Sequence, residues 1–248
     1  MLGSRSPAHP LYRIARGANP WEYADWSKAG KDPSGRTTFG NRFDDSEGEY
    51  RVLYAASQLT SCYVETLARF RRDVDLVEEL RAIRGEDDCV PAGSVPKEWF
   101  ESRFIGVAHV EGNYADLYSP EWVSYLRPRL QPACVAAGLS DFDLSVLMQA
   151  QNRIITQMAS SYVNDLRGFA GIYYASRYGL GFENWALFES KAVIHPSPTS
   201  PISPGPELKK ALELLNLKAD VPEWEEYLSP KNNAGFVESA LRISKLKR

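Results

Sequence analysis

Apolar residues recur along the chain at the spacings of both strands and helices. Alternating or continuous apolar stretches bounded by turn residues predict strands at 10–16, 51–56, 104–112, 168–176 and 185–190. Apolar residues three to four apart predict helices at 59–70, 74–83, 119–127, 141–165 and 207–217, and loops at 17–37, 84–98 and 177–184. Strands and helices intermix without a regular βαβ rhythm, so the pattern predicts an α+β fold of mixed sheets flanked by helices.

Prolines mark two predicted boundaries. Ser119 and Pro120 form a good helix start, and Pro128 is expected to end that helix at about Arg127. Residues 196–206, PSPTSPISPGP, predict a stiff extended connector. The chain is therefore divided into a main domain over 1–195, the connector over 196–206, and a small C-terminal helical appendage over 207–248.

Composition restricts the class of protein. The chain has 248 residues and a net charge of −3, so no global basic field would recruit nucleic acid or an anionic membrane. Three sequence features favour a cytoplasmic protein: the cysteines are three and widely spaced, the N-terminus has no apolar leader, and no long apolar run occurs. The connector and the basic tail RISKLKR leave a homodimer or a partner protein open.

Motifs of several enzyme classes are missing. His9, His109 and His195 stand far apart, and no H-E-x-x-H motif occurs, so no metal site is predicted. Neither G-x-S-x-G nor a phosphate-binding G-x-x-x-x-G-K-[ST] loop is present. Gly179 and Gly181 begin a dinucleotide fingerprint, but Asn184 occupies the position of its third glycine.

Glu65 lies on the helix predicted over 59–70, away from its apolar stripe. The stripe consists of Leu59, Cys62, Tyr63, Thr66, Leu67 and Phe70. Because side chains on a helix face the same way only every three to four residues, Glu65 points away from whatever the stripe packs on. It is therefore either a solvated glutamate or a carboxylate directed at a ligand.

Three stretches of the chain resemble the RES domain family. They are GNRFDDSEGEYRVLYAASQLTSCYVETLARF at 40–70, NRIITQMASSYVNDLRGFAGIYYASRYG at 152–179, and ENWALFE at 183–189. The resemblance covers roughly residues 10–195.

The family's named residues fall on particular positions of this chain. The arginine of its G-x-R-[FW] stretch matches Arg42, the strand tyrosine matches Tyr54, and the glutamate eleven positions later matches Glu65. The serine that follows G-I-x-Y-x matches Ser176.

The resemblance implies an activity and a partner. Family members are similar to the catalytic core of ADP-ribosyltransferases such as diphtheria toxin. Characterised members are toxins that consume NAD+ by phosphorolysis or hydrolysis, and they are often paired with an Xre-type antitoxin. The resemblance thus implies NAD+ as substrate, inorganic phosphate as co-substrate, and no permanently bound cofactor or metal.

Cleavage of the nicotinamide–ribose bond would give these residues definite roles. The transition state resembles a ribosyl cation, so it requires a nearby anion and a firm hold on the rest of the dinucleotide. Glu65 is the candidate anion. Arg42 is the candidate for a forked contact with a phosphate or ribose oxygen, and Tyr54 for stacking on nicotinamide. Ser176 would bind the nicotinamide end or an incoming phosphate.

Other residues are weaker candidates or have structural alternatives. Arg13 and Arg177 are weaker candidates for anion contacts, and Asn184 and Trp185 are expected to shape the strand that closes the pocket. Arg42 has an alternative as a surface arginine paired with neighbouring aspartates. Tyr54 and Ser176 have alternatives as a core tyrosine and a turn serine.

Two other functions remain open from the sequence. One is an ADP-ribosyltransferase that modifies a macromolecule. Tyr63 counts against it, because many protein-modifying transferases carry Glu or Gln two positions before the catalytic glutamate. The other is a catalytically inactive nucleotide-binding partner protein, although Arg42, Tyr54, Glu65 and Ser176 are all present.

Overall fold

A computed structural model describes residues 1–31, 35, 37–71, 93–148 and 152–228. The helix predicted over 74–83 and the basic tail RISKLKR lie outside these residues. Within the described ranges, no helix combines the length and the apolar character needed to cross a membrane.

A mixed β-sheet forms the centre of the fold. The described strands are β1 (Ser4–Arg5), β2 (Leu11–Arg16), β3 (Gly30–Lys31), β4 (Thr37–Thr38), β5 (Val52–Ala56), β6 (Gly93–Pro96), β7 (Arg103–Glu111), β8 (Tyr114–Asp116), β9 (Gly171–Ser176), β10 (Gly179–Phe188), β11 (Val193–Pro196), β12 (Ser200–Pro201) and β13 (Leu217–Asp220). The main sheet has the order β1-β8-β9-β10-β5-β2-β7-β11, and β12 also pairs with β7. Strands β8 and β9 are parallel and the other neighbours are antiparallel.

Helices cover the sheet in two groups. The described helices are α1 (Leu59–Leu67), α2 (Lys97–Glu101), α3 (Pro120–Ala136), α4 (Leu144–Met148), α5 (Arg153–Asp165), α6 (Pro206–Leu215) and α7 (Glu225–Leu228). Apolar residues of α3, α4 and α5 form one core cluster with β9 and β10, and those of α1 and α6 form a second cluster. The predicted α+β class is confirmed.

Alternation along the central strands separates the two faces of the sheet. Ile172 and Ala186 belong to the cluster under α3–α5, whereas Tyr173, Trp185 and Leu187 belong to a third cluster. Because successive strand side chains point to opposite faces, the third cluster lies on the other face of the sheet.

Helix α3 is longer than the predicted helix, which was expected to end before Pro128. It continues through Pro128 and Pro132 to Ala136. Both prolines are exposed, so the carbonyl groups left without an N–H donor can be hydrated. Trp122, Leu126 and Leu130 on the opposite side are fully buried, and this burial holds the helix together across the prolines.

The single helix predicted over 141–165 is wrong. Helix α4 begins only at Leu144, after Asp143 accepts a hydrogen bond from the backbone N–H of Ser145 at 2.8 Å. Helix α5 begins after Asn152, whose backbone is not helical (φ −102°, ψ 66°). The uniform apolar spacing of this stretch concealed the break.

Three predicted loops contain strands, and two of these strands form by long-range pairing and not from a local pattern. Strand β6, within the loop predicted over 84–98, pairs in parallel with β13, and α2 follows it. Strand β10 begins at Gly179, within the loop predicted over 177–184, and a register shift before Glu183 accommodates the irregular start. The loop predicted over 17–37 contains a 3₁₀ turn, Trp26–Lys28, and strand β3.

The C-terminal segments pack on the rest of the fold. Residues of the proline-rich stretch 196–206 include β12, which pairs with β7 as β11 does. Leu208 and Leu212 of α6 share a core cluster with Tyr63 and Leu67 of α1. Helix α1 is thus held between the sheet and α6.

Candidate active site

A cleft of about 390 Å³ opens on the sheet face between the two helical clusters. Tyr54 and Tyr174 reach it from the α3–α5 side, and Ile14, Ala56 and Cys62 reach it from the α1 side. The described lining residues are Arg13, Ile14, Asn41, Arg42, Tyr54, Ala55, Ala56, Cys62, Glu65, Thr66, Met148, Arg153, Tyr174, Arg177 and Asn184.

Glu65 faces this cleft from helix α1. Its helix neighbours Tyr63, Val64 and Leu67 are buried, whereas Glu65 itself is exposed, in agreement with its predicted position off the apolar stripe. Its Oε1 accepts hydrogen bonds from Ser176 Oγ at 2.6 Å and from Asn184 Nδ2 at 2.9 Å. A carboxylate on a short, well-packed helix is therefore held in one orientation at the cleft.

Ser176 lies behind Glu65. It ends strand β9, is 1% exposed, and is not among the residues that line the cleft. Its Oγ accepts a hydrogen bond from the backbone N–H of Tyr178 at 3.0 Å, so its single proton is donated to Glu65. The direct contact of Ser176 with a substrate stays a prediction.

Arg42 brings a positive charge to the same cleft. Its guanidinium carbon lies 5.0 Å from the ring centre of Phe43 and 5.1 Å from that of Tyr174. Its Nε and Nη2 are buried and have no hydrogen-bond partner among the described residues. Buried polar groups are nearly always hydrogen-bonded, so these N–H groups are suited to an anion that enters the cleft.

Asp44 does not pair with Arg42 but organises the loop that carries it. Asp44 Oδ2 accepts hydrogen bonds from the backbone N–H and the side-chain amide of Asn41, at 2.7 and 2.8 Å. Burial raises the pKa of Asp44, and the hydrogen bonds from Asn41 and Tyr54 counteract part of that rise.

The hydroxyl of Tyr54 completes this network. It donates to Asp44 Oδ1 at 2.8 Å and accepts from the backbone N–H of Phe43 at 2.9 Å. Burial and the nearby Asp44 raise the pKa of Tyr54 well above its usual value. Tyr54 therefore lines the cleft and fastens the Arg42 loop to β5; its stacking on nicotinamide stays a prediction.

The two weaker arginine candidates also line the cleft. Arg13 donates from Nε to the carbonyl of Pro20 and from Nη1 to that of Tyr54, both at 2.6 Å. Burial lowers the pKa of Arg13. Arg177 is exposed and donates from Nη2 to the hydroxyl of Tyr178 at 2.5 Å. Arg13 thus has much of its donor capacity occupied by backbone, whereas Arg177 is open to a ligand.

Arg153 and Asn41 are among the lining residues that were not identified as site residues from the sequence. Arg153, the first residue of α5, donates from Nη1 to the carbonyl of Gly40 at 2.5 Å. Asn41 precedes Arg42 and supports Asp44. The only available signal was their place within the family-like stretches, where neither residue type is distinctive.

Trp185 is a core residue, 3% exposed, and its indole N–H donates to Ser57 Oγ at 2.9 Å.

Cys62 is an unreactive part of the cleft wall. Its thiol donates to the carbonyl of Tyr12 at 3.0 Å, and burial raises its pKa to about 12. A thiol with such a pKa carries almost no thiolate at neutral pH, so it is a poor nucleophile. Among the described residues, no three His, Cys, Asp or Glu side chains come together as metal ligands.

Comparisons with known proteins identify a family. The family model of the RES domain matches residues 10–206. A search of curated proteins found no significant match. A chain in the crystal structure of the M. tuberculosis MbcT–MbcA toxin–antitoxin complex is 13% identical, covering 86% of this chain and 90% of that chain, with a TM-score of 0.49.

Proposed function

This chain belongs to the RES domain family, and from that premise we propose that it cleaves the nicotinamide–ribose bond of NAD+, with inorganic phosphate or water as acceptor. The observation that carries the proposal is the placement of Glu65. Its carboxylate is fixed at a cleft that Arg42 also lines, and the Arg42 Nε and Nη2 have no hydrogen-bond partner in the described part of the chain.

The charge of the cleft suits a dinucleotide. Among the described lining residues, Arg13, Arg42, Arg153 and Arg177 are basic, and Glu65 is the acidic one. This excess of arginine favours a pyrophosphate group, and the forked guanidinium of Arg42 can bind two of its oxygens. Tyr54 and Tyr174 add ring surface on which a planar base or nicotinamide can pack.

Glu65 supplies the negative charge required at the reacting carbon. When the C–N bond breaks, its electron pair leaves with neutral nicotinamide and positive charge develops on the ribose. A full charge about 4 Å away is worth about 4 kcal/mol at an effective dielectric constant of 20. Since each 1.36 kcal/mol is tenfold in rate, this corresponds to about a thousandfold acceleration.

The acceptor is proposed to be small. An oxygen of phosphate or water forms the new bond to the ribose carbon, and the products are nicotinamide and either ADP-ribose 1″-phosphate or ADP-ribose. Tyr63, two positions before Glu65, is 1% exposed and packs into the core, so it cannot present a group to a protein acceptor. This favours a small acceptor over a macromolecule.

We further propose that the protein is the toxin of a toxin–antitoxin pair in the cytoplasm, with an Xre-type antitoxin as partner. The support is the family's characterised members, which deplete NAD+ and are neutralised by such partners. We expect growth arrest on expression, a fall in cellular NAD+, and rescue by co-expression of an Xre-type antitoxin partner.

Incubation with NAD+ tests the proposal directly. The purified protein is mixed with NAD+ in phosphate-free buffer and in buffer with added phosphate, and nicotinamide and the ribosyl products are separated by chromatography. ADP-ribose 1″-phosphate only with phosphate indicates phosphorolysis, and ADP-ribose in both buffers indicates hydrolysis. Intact NAD+ in both, at high protein concentration, would refute the proposal.

Glu65→Gln is the decisive variant. It removes the charge and keeps the side-chain size, so we expect a loss of about a thousandfold in kcat with an unchanged melting temperature. Glu111→Gln is the matched control, because Glu111 is an exposed carboxylate on β7 whose side chain contacts His195 and not the cleft. Equal activity of the two variants would contradict the role of Glu65.

A further inference from the structure

Resting on the proposed function, we infer that Asn184 is a positioning residue that fixes Glu65 so that its second oxygen, Oε2, faces the substrate. Nothing in the family's Arg, Glu and Ser pattern assigns this role. Asn184 also lines the cleft, and its Oδ1 and its Nδ2 each make a hydrogen bond with the protein.

Asn184 is held rigidly. It lies in β10, paired with Ala56 of β5 on one side and Tyr174 of β9 on the other, and it is 2% exposed. Its Oδ1 accepts a hydrogen bond from Ser61 Oγ at 2.9 Å, and Ser61 is fully buried in α1. The Ser61 proton thereby sets the direction of the amide, because the opposite orientation would place Oδ1 against the Glu65 carboxylate.

The consequence appears at the carboxylate. Asn184 and Ser176 both donate to Oε1, and no described residue donates a hydrogen bond to Oε2. Oε1 is therefore hydrogen-bonded to the protein, and the lone pairs of Oε2 remain available to a ribose hydroxyl or to the developing cation. A neutral amide also leaves the negative charge of Glu65 uncompensated, whereas a lysine or arginine in this place would neutralise it.

Steady-state cleavage of NAD+ by a set of variants tests this role. Asn184→Ala is expected to lower kcat at least tenfold and to change KM less than about twofold. Asn184→Asp keeps an acceptor for Ser61 but places an oxygen against Glu65, so it is expected to lower kcat further. A merely structural partner of Ser61 would give the reverse order, with Asn184→Asp the better enzyme.

A double-mutant cycle tests the path from Ser61. Ser61→Ala is expected to lower kcat severalfold in the wild type and to have no further effect when Asn184 is already alanine. Ser57→Ala is the matched control, since Ser57 makes a similar contact with the adjacent Trp185, and it should leave kcat unchanged. Full additivity of Ser61→Ala and Asn184→Ala would overturn the inference.

A readout that needs no activity separates this inference from the proposed function. The side-chain amide signals of Asn184 in a ¹H–¹⁵N spectrum are assigned by their loss in Asn184→Ala. They are expected to shift in Glu65→Gln and in Ser61→Ala and to stay in place in Glu111→Gln. Unshifted signals would overturn the positioning role, whereas intact NAD+ with shifted signals would overturn only the proposed reaction.

Discussion

Removal of the Tyr54 hydroxyl should destabilise the protein more at neutral than at acidic pH. In the structure this hydroxyl donates to Asp44 Oδ1 and accepts from the backbone N–H of Phe43. Tyr54→Phe removes the hydroxyl, so Asp44 Oδ1 loses a donor and the backbone N–H of Phe43 loses its acceptor. Hydrogen bonds to a charged group contribute about 1.5–3 kcal/mol and neutral ones about 0.5–1.5 kcal/mol, so the loss depends on whether Asp44 is ionised.

The sign of the pH dependence follows from the direction of the Asp44 shift. Burial holds the folded-state pKa of Asp44 above its unfolded value near 3.8, so the folded state binds more protons and stability falls as pH rises through that interval. Tyr54→Phe removes a donor that favours the ionised form, which raises this pKa further. The variant should therefore lose about 1 kcal/mol more at pH 7 than at pH 4, where Asp44 is more protonated.

Urea unfolding at the two pH values measures this difference. Tyr50→Phe is the matched control, because the Tyr50 hydroxyl contacts the neutral Ser160 Oγ at 3.0 Å. The control should lose a similar free energy of unfolding at both pH values. If Tyr54→Phe also shows no pH dependence, Asp44 is not an ionised partner of Tyr54 and the account of this loop is wrong.

Two further predictions concern the cleft and helix α3. Phosphate and NAD+ should raise the melting temperature of the wild type but not of Arg42→Ala, because the Arg42 N–H groups that lack a partner among the described residues are expected to bind the anion. Arg167→Ala, at an exposed position, is the control, and equal shifts in the two variants would refute this expectation. Pro128→Ala should stabilise the protein by about 1–2 kcal/mol in urea unfolding, because an interior proline costs about 3 kcal/mol, partly offset in the unfolded chain. Pro120→Ala at the helix start should show no such gain.

Local patterns predicted those elements whose formation depends on local residues. The stripe of α1 placed Glu65 away from the core, and the alternation of 104–112 predicted β7, because burial on one face leaves a periodic trace. Strand β6 left no such trace, since Gly93–Pro96 becomes a strand only by pairing with β13. Helix α3 passes Pro128 because its buried face outweighs the local penalty, which no local rule includes.

For the candidate site, too, the local sequence predicted individual residues but not the long-range contacts between them. Family-like stretches identified Arg42, Tyr54, Glu65 and Ser176 one by one. Their relations could not be predicted, because Ser176 and Asn184 meet Glu65 across more than a hundred positions of chain. The approach of Arg153 to the Arg42 loop depends on the break before α5, which the uniform apolar spacing concealed.

The contact between α6 and α1 determines how far the chain can be truncated from its C-terminus without loss of the site. The family model stops at residue 206, yet Leu208 and Leu212 cover the side of α1 opposite Glu65. A truncation at that boundary would expose Tyr63 and Leu67 to water and loosen the support of the carboxylate. Expression trials should therefore retain the chain at least through Leu228.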